Sequence, residues 1–261
     1  MEESGSLNRF DVIVRELTVF DDLEQLYRRA TAEFIEVTKL AAKDRGSAVV
    51  ALSGGSTPKA LYSLLATEVF AKQLPLEHIY FFIGDERCVP ANSPESNFGM
   101  ARSALFEPLS IDADHTFPWP TELPDANEAA KLYGQRIVKV FDKLGREDTI
   151  PRFDLILLGM GSDGHTASLF PFSPALIEND RITAANPVEK LQSNRLTFTF
   201  PLLNHAANVM FLVAGSDKAD AAREVLEGEF RPDAFPAQAV NPLDGRLVWL
   251  LDQAAAAGLE S

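Results

Sequence analysis

With 261 residues, 46% of them hydrophobic and 24% charged, the chain is long enough for one α/β domain, and its composition excludes a disordered or low-complexity body. Its 38 acidic and 24 basic residues give a formal charge of −14, a field that argues against nucleic acid or an anionic membrane as a partner. The single cysteine, Cys88, cannot form an internal disulfide, which favours a reducing compartment.

The opening segment, Met1 to Ser6, has no basic stretch leading into an apolar one, so it does not read as a secretory signal. No apolar run approaches the ~20 residues needed to span a bilayer. A cytoplasmic protein is expected. Residues 21–44 then repeat apolar positions at helical spacing (Leu23, Leu26, Ala30, Phe34, Val37, Leu40), with Gly46 as a stop. Ala48–Leu52 is a continuous apolar run, as in a strand buried on both faces. Ser53-Gly54-Gly55-Ser56-Thr57-Pro58 breaks it, and Lys59–Phe70 reads as a helix with Pro58 in its first turn.

The alternation continues. Ile79–Ile83 is a second apolar run, ending in Gly84-Asp85-Glu86-Arg87. The stretch from Pro90 to Asp125 reads as a long irregular connection. Residues 126–144 are helical, with Leu132, Ile137, Val140 and Phe141 expected on one side. Phe153–Leu158 is a third strand, followed by Gly159-Met160-Gly161-Ser162-Asp163-Gly164-His165. Leu196–Phe200 alternates with Thr197 and Thr199, as a half-exposed strand would. Val209–Val213 runs through Gly215 and Ser216 into a helix from Asp217 to Leu226, and Leu247–Leu251 is the last strand. Strands alternating with helices imply a parallel sheet between helices, with ligands bound beyond the carboxyl ends of the strands. One domain spanning residues 1–261 is expected, with a small cap formed from 90–125 and 172–195.

Four strand ends carry chemistry. Ser53–Thr57 reads either as an anion cradle at a helix start or as a tight, hydroxyl-capped turn. It matches neither a Walker loop nor a dinucleotide fingerprint. His165, two residues beyond Asp163, is a candidate general base or a turn-capping histidine. Arg87 follows two acids and reads as a structural ion pair or as a grip for a phosphate or carbonyl oxygen. Lys218 stands at a helix start, where a cation is disfavoured unless an anion lies nearby. Cys88 reads as a small core residue, and no Gly-x-Ser-x-Gly elbow is present. No Cys or second His stands at metal-ligand spacing from His165.

Together these segments resemble the 6-phosphogluconolactonase family. The likeness is carried by Leu52–Pro58, Gly84-Asp85-Glu86-Arg87-Cys88-Val89-Pro90, Ser96-Asn97, and the run from Gly159 through His165-Thr166-Ala167-Ser168-Leu169-Phe170-Pro171. The first and last blocks are shared with glucosamine-6-phosphate deaminase/isomerases. The resemblance implies a Rossmann-like three-layer α/β/α fold and cofactor-free hydrolysis of 6-phosphoglucono-1,5-lactone to 6-phosphogluconate, the second step of the oxidative pentose phosphate route. It implies His165 as base with Asp163 orienting it, and Arg87 serving either the oxyanion or the phosphate. The phosphate would be held by Ser53, Gly54, Gly55, Ser56, Thr57 and Lys218, and Asn97 would line the pocket. The implied partner is a small phosphosugar lactone, with neither a metal nor an obligate protein partner evident. Two other readings stand beside this one. A deaminase/isomerase normally carries a glutamate after the histidine, where this chain has Phe170. A sugar-phosphate sensor would need a basic DNA-binding module, which this acidic chain lacks.

Overall fold

A computed structural model describes residues 14–260. The reading of Met1–Ser6 therefore falls outside the described residues. Strand β1 (Val14–Phe20) leads into helix α1 (Leu23–Arg45). Asp22 caps the helix by accepting from the Gln25 amide at 2.8 Å, and Gly46 ends it in the left-handed region at φ 74°. Strand β2 (Ala48–Leu52) is buried at every position. Helix α2 (Ser56–Leu65) and the short α3 (Glu68–Ala71) follow, then β3 (Ile79–Ile83) and β4 (Asp85–Arg87). The helix expected over Lys59–Phe70 thus starts three residues earlier and stops at Leu65.

Beyond β4 come α4 (Asn97–Ala101), a π-helical turn at Arg102–Phe106 and β5 (Thr116–Phe117). Helix α5 (Ala126–Lys143), β6 (Leu155–Leu158), β7 (Thr183–Val188) and β8 (Ser193–Phe198) lead to α6 (Phe200–Leu203). Strand β9 (Asn208–Val213), helix α7 (Ala219–Leu226) and β10 (Arg246–Asp252) complete the order.

Among the described residues, two sheets form. Seven strands pair in parallel in the order β1-β10-β9-β6-β2-β3-β5. Three pair antiparallel in the order β4-β8-β7. Helices pack on the large sheet, giving the expected α/β class: α1 lies against β1, β2 and β10 and α2 against β9, while α5 packs on β7 and β8 of the small sheet. The core is aromatic where the two sheets meet. Phe153 lies 5.4 Å from Phe82 and 5.3 Å from Phe198, centroid to centroid, and Trp119 stacks on Tyr133 at 3.9 Å. No helix of the described residues is long and apolar enough to cross a membrane.

Several expectations are corrected. The stretch from Pro90 to Asp125 is not irregular throughout: it holds α4 and the edge strand β5. Leu196, Thr197, Phe198 and Thr199 are fully buried, so the stretch expected as a half-exposed strand is buried there; β8 ends at Phe198. The two threonine hydroxyls donate to the carbonyls of Phe198 at 2.9 Å and Arg181 at 2.5 Å, which removes the cost of burying them. Leu132, Leu40 and Leu23 face solvent. The inner face of α5 is made instead by Ala126, Ala129, Ala130, Tyr133 and Gly134 with Ile137 and Phe141. Cys88 is exposed and is not a core residue. Desolvation of its sulfur pushes the thiol up despite nearby Arg195, which disfavours a thiolate nucleophile.

Candidate active site

The strand order reverses between β2 and β6: the chain runs from β2 outward through β3 to β5, then returns to the other side of β2. The loops leaving such neighbours diverge and open a crevice. A cleft of about 480 Å³ lies there, lined by the β2 loop (Ser53–Gly55) and the β6 loop (from Gly159 to His165). Small-molecule sites are typically of this size.

The β6 loop is wound tightly. Gly161 donates its amide to the His165 carbonyl at 2.8 Å, and Gly164, at φ 77°, returns its amide to Gly161 at 3.0 Å. This brings Oδ1 of Asp163 within 2.5 Å of Nδ1 of His165. With Nδ1 as donor in that bond, Nε2 is the ring's acceptor. The second oxygen of Asp163 pairs with Nζ of Lys190. Burial alone would raise the Asp163 carboxyl, but its hydrogen bonds to His165 and Lys190 outweigh this and hold it well below the usual carboxylate range. The imidazole stacks on Phe170 at 4.1 Å between centroids.

Cations line the remainder of the cleft. Arg87, on β4, is held by neutral acceptors: it donates to the Glu95 carbonyl at 2.9 Å and to Oδ1 of Asn97 at 2.5 Å. Asn97 in turn donates to the Asp85 carbonyl at 2.7 Å. Glu86, almost wholly buried, accepts from the amides of Arg87, Asn97 and Phe98 and from the Ser96 hydroxyl, so it fixes the start of α4. Burial pushes its carboxyl up, and those amides work against the rise. Arg195 lies opposite Arg87 in the β4–β8 register. Burial and the Arg87 charge push its guanidinium down. Lys218 lies 2.9 Å from the Asp217 carboxylate, so the anion expected beside it is partly supplied by its own neighbour. Gly215 is tied to Asp252, whose two oxygens each accept its amide at 3.1 Å.

The candidates Ser53, Gly54, Gly55, Arg87, Asn97, Asp163, His165 and Lys218 all line this cleft. Ser56 and Thr57 are not among its lining residues; they form the first turn of α2, whose N-cap Gly55 offers no side chain. A Cβ on Gly54 would meet Oδ1 of Asn97 at 1.9 Å, so glycine there admits the Asn97 side chain. The Ser53 hydroxyl is buried and has no hydrogen-bond partner among the described residues. Sequence reasoning missed Lys190 and Arg195, and left out of its site set Asp85 and Ser168. The last two are joined, Ser168 Oγ donating to Asp85 at 2.7 Å. No group of three or more His, Cys, Asp or Glu residues able to hold a metal occurs among the described residues.

The family model described as glucosamine-6-phosphate isomerases/6-phosphogluconolactonase matches residues 21–249. The chain belongs to this family. Among similar curated proteins, a 6-phosphogluconolactonase of Synechocystis sp. is 45% identical over 224 residues, 85% of this chain and 89% of that one. One of Nostoc sp. is 40% identical, covering 92% and 97% of the two chains. The solved 6-phosphogluconolactonase of Trypanosoma cruzi superposes with a TM-score of 0.83 at 30% identity, over 96% of this chain and 99% of that chain. The likeness of fold thus extends over nearly all of the chain, and here the cleft sits at the switch point of the seven-stranded sheet.

Proposed function

We propose that this chain hydrolyses 6-phospho-D-glucono-1,5-lactone to 6-phospho-D-gluconate, in the oxidative pentose phosphate route. The observation that carries the reading is the pairing of a carboxylate-oriented imidazole, Asp163–His165, with four cations, Arg87, Lys190, Arg195 and Lys218, in one cleft. Relatives of 40–45% identity bear the lactonase name.

A lactone carbonyl is already electrophilic, so water can attack it directly without a covalent enzyme intermediate. Nε2 of His165 takes a proton as the water oxygen bonds to C1. Asp163, anionic throughout, accepts from Nδ1 and stabilises the imidazolium that forms. The C1 oxygen becomes an oxyanion and needs a donor, either Arg87 or loop amides. Collapse breaks the C1–O5 bond, and the imidazolium returns its proton to the departing ring oxygen. The product is a carboxylic acid, which ionises.

The substrate phosphate is held by Lys218 and Arg195, the start of α2 and the hydroxyl of Ser53. Against the chain's overall negative charge, this local gathering of cations is what admits a dianion. Asn97 acts through Arg87, whose guanidinium it orients. Segments 90–125 and 172–195 carry Asn97, Lys190 and Arg195 to the cleft, which is how the parts of the expected cap would serve a single domain. The reading needs neither cofactor nor metal, and a cytoplasmic setting suits a chain with one exposed cysteine.

The test is lactone hydrolysis by the purified chain, corrected for the spontaneous reaction, beside His165→Asn. The variant is expected to lose about 10²- to 10⁴-fold in kcat while still binding the phosphosugar. Turnover within a few-fold of the parent removes His165 from the mechanism.

A further inference from the structure

We infer that Lys190 is a positioning residue for this reaction, acting on His165 through Asp163; the inference rests on the lactonase reading above. Lys190 belongs to the short turn Glu189–Leu191 that joins β7 to β8, far in sequence from the β6 loop. Its ammonium pairs with Oδ2 of Asp163 while Oδ1 of the same carboxylate takes Nδ1 of His165. The ammonium also lies 4.9 Å from the centroid of the Phe170 ring, on which the imidazole stacks. Lys190 and His165 are thus linked twice, through one carboxylate and through one aromatic ring.

Two consequences follow from elementary electrostatics. A carboxylate bound at both oxygens has its plane fixed, so Oδ1 stays aimed at Nδ1. The lysine charge also offsets part of the carboxylate's field at the imidazole. Without it, Asp163 would stabilise the imidazolium more strongly, and less of the neutral base would be present at a given pH. The other charged groups lining the cleft around His165 are Asp85 and Arg87 from β4, Arg195 from β8, and Lys218 before α7. None of these is interposed in the Lys190–Asp163–His165 chain of contacts, and the Phe170 ring carries no net charge, so the effect of Lys190 on the proton affinity of the imidazole is expected to pass through Asp163.

The experiment compares kcat/KM against pH, background-corrected, for the parent, Lys190→Met, Lys190→Arg, Asp163→Asn and the Lys190→Met/Asp163→Asn double variant. The His165 imidazole is titrated by NMR in the same proteins. The acid limb of Lys190→Met is expected to move upward by about 0.5–1 pH unit, a roughly 3- to 10-fold loss on that limb. Lys190→Arg should restore the parental profile, and Lys190→Met should cause no further movement once Asp163 is asparagine. An unmoved profile in Lys190→Met overturns the inference. So does the same shift in the Asp163→Asn background, or a rise in KM alone, which would make Lys190 a direct substrate contact. If the parent itself shows no hydrolysis above the spontaneous rate, the lactonase reading fails. The NMR titration still decides whether Lys190 governs the imidazole through Asp163.

Discussion

Gly161 lies against the ring of His165: a Cβ placed on Gly161 would stand 2.1 Å from Nδ1 and 2.2 Å from Cε1. The imidazole therefore occupies space that any other residue at 161 would take. The same Cβ would approach Oδ1 of Asp163 at 2.7 Å, so both members of the pair would have to move. Gly161→Ala is expected to lower kcat at least 10²-fold, the scale of a displaced base, with little change in far-UV circular dichroism. The backbone at Gly161 is not in the left-handed region, so alanine should fold there. A variant with parental kcat would show that the ring tolerates displacement.

Lys218 and Arg195 are assigned to the phosphate, which does not react. Removing either should weaken ground and transition states alike and raise KM more than it lowers kcat. Charged hydrogen bonds are worth about 1.5–3 kcal/mol, so an increase of roughly 10- to 150-fold is expected for Lys218→Ala or Arg195→Ala. Steady-state kinetics check this. A normal KM with a collapsed kcat would move the residue to the reacting carbonyl.

Asp163 also has a stability signature. Its folded-state value lies below the ordinary 3.8. Its contribution is therefore present above the unfolded value and lost as pH falls through the lower folded value. Asp163→Asn should melt about 1–4 °C below the parent near pH 7, since partly exposed ion pairs contribute little. The gap should begin to narrow as pH drops below about 4, the free aspartate value, and go on narrowing toward the lower folded value. Melting curves across pH 3–7 measure it, and a gap that widens toward acid would contradict the assignment.

Phe170 stacks on His165 and has no proton to exchange. Glucosamine 6-phosphate should therefore yield neither ammonia nor fructose 6-phosphate. Turnover of it at about 1 s⁻¹ or faster would return the deaminase/isomerase reading to first place.

The parts visible in sequence were those governed by local rules. Ala48–Leu52 and Val209–Val213 are apolar because both faces are covered, and Gly46 ends α1 because only glycine takes that backbone cheaply. The strands that escaped notice break those rules. β1 carries Leu17 and Val19 to solvent on the sheet edge. β7 contains Pro187, tolerated because β7 is the edge of the small sheet. β5 has only two residues. The site divides in the same way. His165, Asp163 and the Ser53–Gly55 loop follow strands whose ends can be located. Lys190 and Arg195 reach the cleft only through pairing of β8 with β4, a register between residues more than 100 positions apart. No local pattern announces such a contact.

The pairing of β1 with β10 bears on how the chain is made. Phe20 lies opposite Asp252, and Val14 opposite Arg246, so the first strand of the large sheet has the last one as its neighbour. On a ribosome adding about 5–20 residues per second, β1 waits roughly 10–45 s before its partner emerges. During that interval its backbone donors and acceptors are without the partner that β10 provides. Nascent chains halted before residue 246 would thus carry an unpaired strand available to chaperones or to other nascent copies, and emergence of β10 is the event that pairs it.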